Sequence, residues 1–297
     1  MTRRPTPSRR IAADRPITVA VASGKGGTGK TLVSSQLARA LADRGQRVLL
    51  VDADVEEPNV HLLLEPGALV EEPFHVTATA IDLEKCTHCG RCAEVCAFGA
   101  LLVGQLEVLT VPEHCRDCRA CELCCPAAAI QHYRRQVGLI RRGRAGEVAL
   151  VGGEMAIGEH RAAPLIDELR TRARDFAGIV IVDCPPGTSC SAVAAVRGAD
   201  LAILVTEPTP FGAHDLRLAA AMCTALGVPV EVVVNRAGLG GMRLDALLAD
   251  LGVQACAEIP FDRDIAAAHA TGADPTQASE PLHRAVASLA TMVQRCA

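Results

Sequence analysis

Along the chain, short runs of uninterrupted apolar residues alternate with longer stretches in which apolar positions recur every three to four residues. The first run, ITVAVAS over 17–23, is followed by a glycine-rich turn, a helical pattern over 29–44 and a second run, RVLLVD, over 47–52. Further runs stand at 178–183 (GIVIVD), 201–206 (LAILVT) and 229–235 (PVEVVVN), with helix-length segments at 162–175, 212–226 and 242–251. Runs that are apolar on every residue suit strands covered on both faces. The alternation therefore predicts an α/β fold, a doubly wound and mostly parallel sheet with helices on both sides. A last helical stripe, Leu282, Val286, Leu289, Met292 and Val293, predicts a helix docked on the core, because its polar face carries only His283, Arg284 and Arg295.

Between about 82 and 134 the pattern breaks, and nine of the 14 cysteines fall there. The segment repeats itself at a fixed offset of 29 residues: Cys86, Cys89, Cys92, Cys96, Ala100 and Leu101 map onto Cys115, Cys118, Cys121, Cys125, Ala129 and Ile130, and Glu84 onto Glu113. Repetition at constant period marks a duplicated structure. Cys124 maps onto Val95, which predicts a packing position for it and excludes it from any ligand set.

Composition sharpens this picture in three ways. A 49% hydrophobic chain of 297 residues with 2% aromatics and no Trp must build its core from Val, Leu, Ile and Ala. A net charge of -4 offers no global field for nucleic acid, and the absence of any run of 18 uncharged apolar residues predicts no stable membrane insertion. The first 15 residues hold five Arg without an apolar core behind them, which predicts a disordered basic arm over 1–16 and no export signal. Cysteines in such a chain are expected to stay reduced in the cytoplasm and to bind metal.

Two groups of residues carry chemistry. Gly24, Lys25, Gly26, Gly27, Thr28, Gly29, Lys30 and Thr31 fit G-x4-G-K-T between a buried strand and a helix. There the backbone amides face the phosphates of ATP, Lys30 reaches the β and γ oxygens, and the Thr31 hydroxyl ligates Mg2+. The second group is C-x2-C-x2-C-x3-C, once over Cys86, Cys89, Cys92 and Cys96 and again over Cys115, Cys118, Cys121 and Cys125. Each run matches the bacterial ferredoxin pattern, in which the fourth cysteine serves the other 4Fe-4S cluster. One cluster would use Cys86, Cys89, Cys92 and Cys125, the other Cys96, Cys115, Cys118 and Cys121. Zinc also takes C-x2-C pairs, but the third and fourth cysteines, twice in register, wrap a cluster. Ala97 stands where the pattern has Pro.

With the second lysine at Lys25, K-G-G-x-G-K-T over 25–31 resembles the MinD/ParA/Mrp class of deviant Walker ATPases, and the cysteine repeat narrows this to members with an inserted two-cluster ferredoxin domain. The strings DADVEEPN, DCPPGTSC and TEPTPFGAHDL agree. The resemblance implies slow, Mg-dependent ATP hydrolysis in an ATP-dependent homodimer, with Lys25 reaching the partner's nucleotide. It implies that Asp54 orients the attacking water, that Asp183 holds Mg2+ through water with Asp52 behind it, and that Asn235, Arg236 and Pro260 approach the adenine. The expected domains are an ATPase over 17–81 and 135–297 and a small α+β ferredoxin-like insert over 82–134. Electron transfer to a partner protein and cofactor assembly on a metalloenzyme both fit. A MinD/ParA-like positioning ATPase and an ATP-dependent ligase are the alternatives. Cys184 and Cys190 flank the Asp183 loop, with buried packing the plainer role for both, and Cys223, Cys256 and Cys296 are expected to be buried.

Overall fold

The computed structural model describes residues 15–239 and 242–296, with His269 described by its backbone alone. The expected arm over 1–16 lies outside the described residues apart from Arg15, which pairs with Asp200, and Pro16. In chain order the elements are β1 (Ile17–Ala22), α1 (Lys30–Asp43), β2 (Val48–Asp52), α2 (Val60–Leu64), β3 (Val70–Ile81), α3 (Arg91–Val95), β4 (Leu101–Val103) and β5 (Val108–Thr110). Next come α4 (Ala120–Cys124), β6 (Ile130–Ala145), β7 (Val148–Met155), α5 (Ala162–Ala173), β8 (Ile179–Asp183), α6 (Cys190–Val196), β9 (Leu201–Thr206) and α7 (Pro210–Ala225). The last are β10 (Val230–Ala237), α8 (Asp245–Asp250), β11 (Ala255–Pro260), α9 (Arg263–Ala270), α10 (Pro275–Ala278) and α11 (Glu280–Cys296).

Nine strands form one sheet in the order β11-β10-β9-β1-β8-β2-β7-β6-β3. All neighbours from β11 to β7 are parallel, whereas β6 runs antiparallel to both β7 and β3. The apolar runs bury alternate residues on opposite faces. Val19 and Val21 join α1 and α11 in one core, and Ala20 and Ala22 join α5, α6 and α7 in the other. The last helix lays Leu282, Val286, Leu289 and Val293 into the core, as its stripe predicts.

The sheet is wider than the apolar runs indicate. β3 and β6 pair over twelve residues of β3, from Val70 opposite Arg142 to Ile81 opposite Ile130, and β6 continues onto β7 only from Gly138. The part of β6 before Gly138 therefore projects with β3 as a two-stranded stalk, and the segment 82–129 sits at its end. The expected boundary at 134/135 falls inside β6. These strands are closed by charge: Arg141 pairs with Glu71 and Glu154, and Arg142 and Arg172 with Glu72. Such cross-strand partners are invisible to a periodicity argument.

Candidate functional site

The loop 24–31 leaves β1 at the end of the parallel strands where ligands gather in open α/β sheets. Two of its glycines are required by space and backbone. A Cβ at Gly24 would lie 2.2 Å from the Asp215 carbonyl oxygen. Gly29, at φ +96°, would drive one to 2.4 Å from Asn235 Nδ2. The amide of Asn235 braces the loop by donating to the Thr28 carbonyl at 2.7 Å. Lys30 begins α1 and is 6% exposed, an ammonium held at the helix N-terminus where anions bind.

Asp52 and Asp183 end adjacent parallel strands in register. Burial and the neighbouring Asp183 charge push the Asp52 carboxyl well above its usual range. Its two oxygens accept from the Val60 and Asp54 amides, at 3.0 and 3.2 Å, so it organises the turn that carries Asp54. Burial raises Asp54 to about 6, with Lys30 opposing. Burial likewise raises Asp183, while the Thr31 hydroxyl and Lys30 favour its charged form and Asp54 opposes it. Asp183 Oδ1 is buried without a partner, and the Thr31 hydroxyl faces the same carboxylate. An orphaned carboxylate oxygen beside a hydroxyl is the oxygen donor set a hard cation takes, so the residues present fit Mg2+.

Lys25 is engaged within its own chain. Its Nζ lies 3.3 Å from Glu207, a buried carboxylate at the end of β9 that also holds Arg236 at 2.8 Å. Sequence reasoning missed Glu207, whose one signal is an acid placed directly after an apolar strand. Asn235, expected at the adenine, directs its side-chain amide onto the loop at the Thr28 carbonyl. Arg236, at φ +53°, and Pro260, opposite Ala237, lie at the same end of the sheet.

The 29-residue repeat is present in the backbone. Left-handed residues recur in pairs, His88 with Asp117, Gly90 with Arg119 and Gly99 with Ala128, and α3 recurs as α4. Asp82 donates its amide to the Ala129 carbonyl, and Val111 donates to Ala100, the same bond with its halves exchanged. Cys86, Cys89, Cys92 and Cys125 line one small cavity. A second is lined by Cys96, Cys115, Cys118 and Cys121. The Ala100 and Ala129 amides donate to the sulfurs of Cys96 and Cys125, both at 3.3 Å. Cys124 lines neither cavity and donates its thiol to the Cys121 carbonyl. Among the described residues no three His, Cys, Asp or Glu are gathered as a site for a metal ion.

The other cysteines divide. Cys184 and Cys223 are buried and Cys256 half-buried, and burial raises the thiols of Cys223 to about 11 and Cys256 to about 12. Cys190, at the start of α6, is exposed. Cys296 is exposed too, contrary to the buried position expected, because α11 ends there with its apolar stripe facing away. No described helix is long and apolar enough to cross a membrane.

Comparison with known proteins agrees with this geometry. Residues 19–275 match the CobQ/CobB/MinD/ParA nucleotide-binding domain family. An uncharacterised protein of Methanocaldococcus jannaschii is 30% identical over 257 residues, which cover 86% of this chain and 89% of its own. The cell-division ATPase MinD of Pyrococcus furiosus superposes with a TM-score of 0.60 at 22% identity, covering 95% of this chain and 99% of its own. MinD of Pyrococcus horikoshii, solved with Mg-ADP, gives 0.58 at 21% identity, with coverages of 94% and 96%.

Proposed function

Because the chain belongs to the CobQ/CobB/MinD/ParA nucleotide-binding family, we propose that it is an ATP-hydrolysing iron-sulfur protein that works as an ATP-dependent homodimer in the cytoplasm. The observation that carries the iron-sulfur half is the pair of cavities, each lined by the crossed set of four cysteines that two interleaved 4Fe-4S clusters require. A mononuclear zinc site needs four donors within about 2.3 Å of one point, whereas an iron-sulfur cube needs its thiolates spread around a cavity. The amide bonds onto the Cys96 and Cys125 sulfurs suit thiolates. Such clusters supply one-electron chemistry, which serves electron transfer to a partner protein or assembly of that partner's metallocofactor.

The nucleotide half follows from the loop. Its amides and Lys30 hold the β and γ phosphates, and Thr31 and Asp183 hold Mg2+ of the kind named in the Pyrococcus horikoshii structure, with Asp52 behind them. Asp54 orients the attacking water by position. Lys25 leaves Glu207 to reach the partner's nucleotide, and Arg236 and Pro260 flank the adenine. The positioning alternative draws on the likeness to MinD, but α11, the helix that would anchor the chain to a membrane, buries its apolar stripe.

The test is metal analysis of protein purified without oxygen. About eight iron and eight sulfide per chain are expected from two clusters. Stoichiometric zinc without sulfide overturns the iron-sulfur half and leaves the nucleotide half standing.

A further inference from the structure

The backbone of the two cysteine sites is duplicated, but the side chains around them are not. The cavity of Cys86, Cys89, Cys92 and Cys125 is otherwise lined by Ile81, Val103, Ala127, Ala129 and Ile130 with Thr87 and Gly90, none of them charged. The one cation among the described residues that acts on its sulfurs is Arg91, whose amide meets Cys89 together with the Thr87 hydroxyl. The cavity of Cys96, Cys115, Cys118 and Cys121 is otherwise lined by the apolar Phe98, Ala100, Leu101 and Ala120, but also by Thr79 and by two cations, Arg116 and Arg119. Under the 29-residue offset, Arg116 replaces Thr87 and Arg119 replaces Gly90.

The ATPase sheet adds to this asymmetry. Arg161, immediately before α5, donates from Nη1 to the carbonyl of Cys115. Its side chain is 8% exposed and pairs at 3.4 Å with Glu159, which also pairs with Arg135. Glu159 is thus shared by two cations, of which Arg135 alone also meets the exposed Glu113, and Arg161 Nη2 and Arg135 Nε remain buried without acceptors. From β3, the Thr79 hydroxyl lies 3.4 Å from Cys115 Sγ. The nearby acids are solvated and already engaged: Asp117 with Arg119, Glu122 with Arg119 and His132, and Glu113 with Arg135.

Adding an electron to a thiolate-held cluster raises its negative charge. Nearby cations and hydrogen bonds to sulfur favour that step, and an uncharged apolar lining disfavours it. Resting on the cluster reading above, we infer that the site of Cys96, Cys115, Cys118 and Cys121 has the higher potential of the two, with Arg161 and Thr79 as its positioning residues. An electron shared by the pair then sits against the ATPase sheet. Its passage between sites oxidises one cluster by one electron and reduces the other by one, with no bond or proton exchanged.

The experiment is an EPR-monitored titration of the full chain, loaded with iron and sulfide, using dithionite as the one-electron reductant. Cys89→Ser and Cys118→Ser each alter the spectrum of one cluster and so assign the two steps. The first site to be reduced is expected to carry the Cys118→Ser signature. Thr79→Val and Arg161→Gln should each move that step about tenfold toward the oxidised form, 59 mV for one electron, and leave the other step in place. Arg161→Lys should recover part of the shift. One superimposed step, a first step bearing the Cys89→Ser signature, or variants that move both steps or neither would overturn the inference. If Arg161→Gln does not fold, Thr79→Val, which keeps the side-chain shape, decides it. A chain that binds no iron or sulfide fails earlier, at the metal analysis, and overturns the cluster reading itself.

Discussion

Around the loop 24–31 each turn of backbone is backed by two large apolar cores, one on each face of the sheet. The segment 82–129 has a core of Cys92, Leu101 and Cys121 with four half-buried neighbours, and it turns Leu102, Leu106, Leu109 and Leu123 outward. The nucleotide site is thus shaped by burial before any ligand arrives. The cysteine segment buries little apolar surface, and its shape is therefore expected to depend on a bound metal, as in small domains that fold on one. The largest expected effect tests this contrast. Stripping iron with a chelator should abolish amide-exchange protection over 82–129 while the central strands keep theirs and nucleotide still binds. Protection that survives the loss of iron would mean that side-chain packing holds the segment after all. Cys125→Ser should damage first the site of Cys86, Cys89 and Cys92.

On the other side of the comparison, Lys30→Ala should weaken Mg-nucleotide binding by about 100-fold or more, since a buried cation aimed at the phosphates is lost. Isothermal titration checks it, and the iron content of the variant should be unchanged. Wild-type affinity in that variant would show that the loop amides suffice.

Legibility divides along the same line. The strands β1, β2, β8, β9 and β10 were readable as Val, Leu, Ile and Ala runs, because both faces of each are covered. β6 was not, since its Arg134, Arg135, Arg141, Arg142 and Arg144 look like a solvated run until Glu71, Glu72, Glu154 and Glu159 close on three of them. β7 was hidden by Gly152 and Gly153. A Cβ at Gly153 would come within 2.9 Å of Leu165 and Val55, so close packing requires the residue that sequence patterns read as a break. The grouping of cysteines around two cavities was legible because the ferredoxin spacing exchanges the fourth cysteine between the two repeats. Glu207 and Arg161 were not, because their partners lie 182 and 46 residues away.

An intermediate effect concerns Lys25. Its bond to Glu207 must break before the ammonium can serve a partner, so Glu207→Gln should favour ATP-dependent dimerisation by about fivefold, the scale of one partly screened ion pair. Lys25→Ala should lower hydrolysis and dimerisation together. Light scattering with and without ATP measures both, and a dimer indifferent to nucleotide in all three proteins would remove Lys25 from the trans role.

The pH dependence should be of similar size and opposite sense in two states. Asp54, at about 6, and Asp183 are raised above their unfolded values by burial. A raised carboxylate gives stability that is fully present below the unfolded pKa and lost as pH rises through the folded one. For these two groups, metal-free protein should therefore gain stability as pH falls from 7 toward 4. Mg-nucleotide affinity should fall over the same range, because protons displace the cation. Thermal melts and binding isotherms at matched pH check the two slopes, and Asp54→Asn should flatten the first. Parallel slopes would mean that Mg2+ does not lie among these carboxylates.

The last expected effect, no larger than that of Glu207→Gln, joins the two regions. Asp52 lies against Gly152, Met155 donates to the Val55 carbonyl at 2.9 Å, and Ala156 donates to Val137 in the stalk at 2.9 Å. Three residues beyond Ala156, Glu159 holds Arg161, which reaches Cys115. A shift of the Asp54 turn on nucleotide exchange would travel along packed backbone to one cysteine site and not the other. Coupling of this kind is reciprocal and typically spans 5- to 150-fold, and a path with one hydrogen-bonded side chain at its end belongs near the low limit. ATP should therefore move the potential of the site that holds Cys115 by about fivefold in its equilibrium, about 40 mV for one electron, and leave the other unmoved. Titrations with ADP, with a non-hydrolysable ATP analogue and without nucleotide measure it. Three superimposed curves would make the stalk a passive tether, and equal shifts at both sites would place the coupling in the stalk as a whole instead of in Arg161.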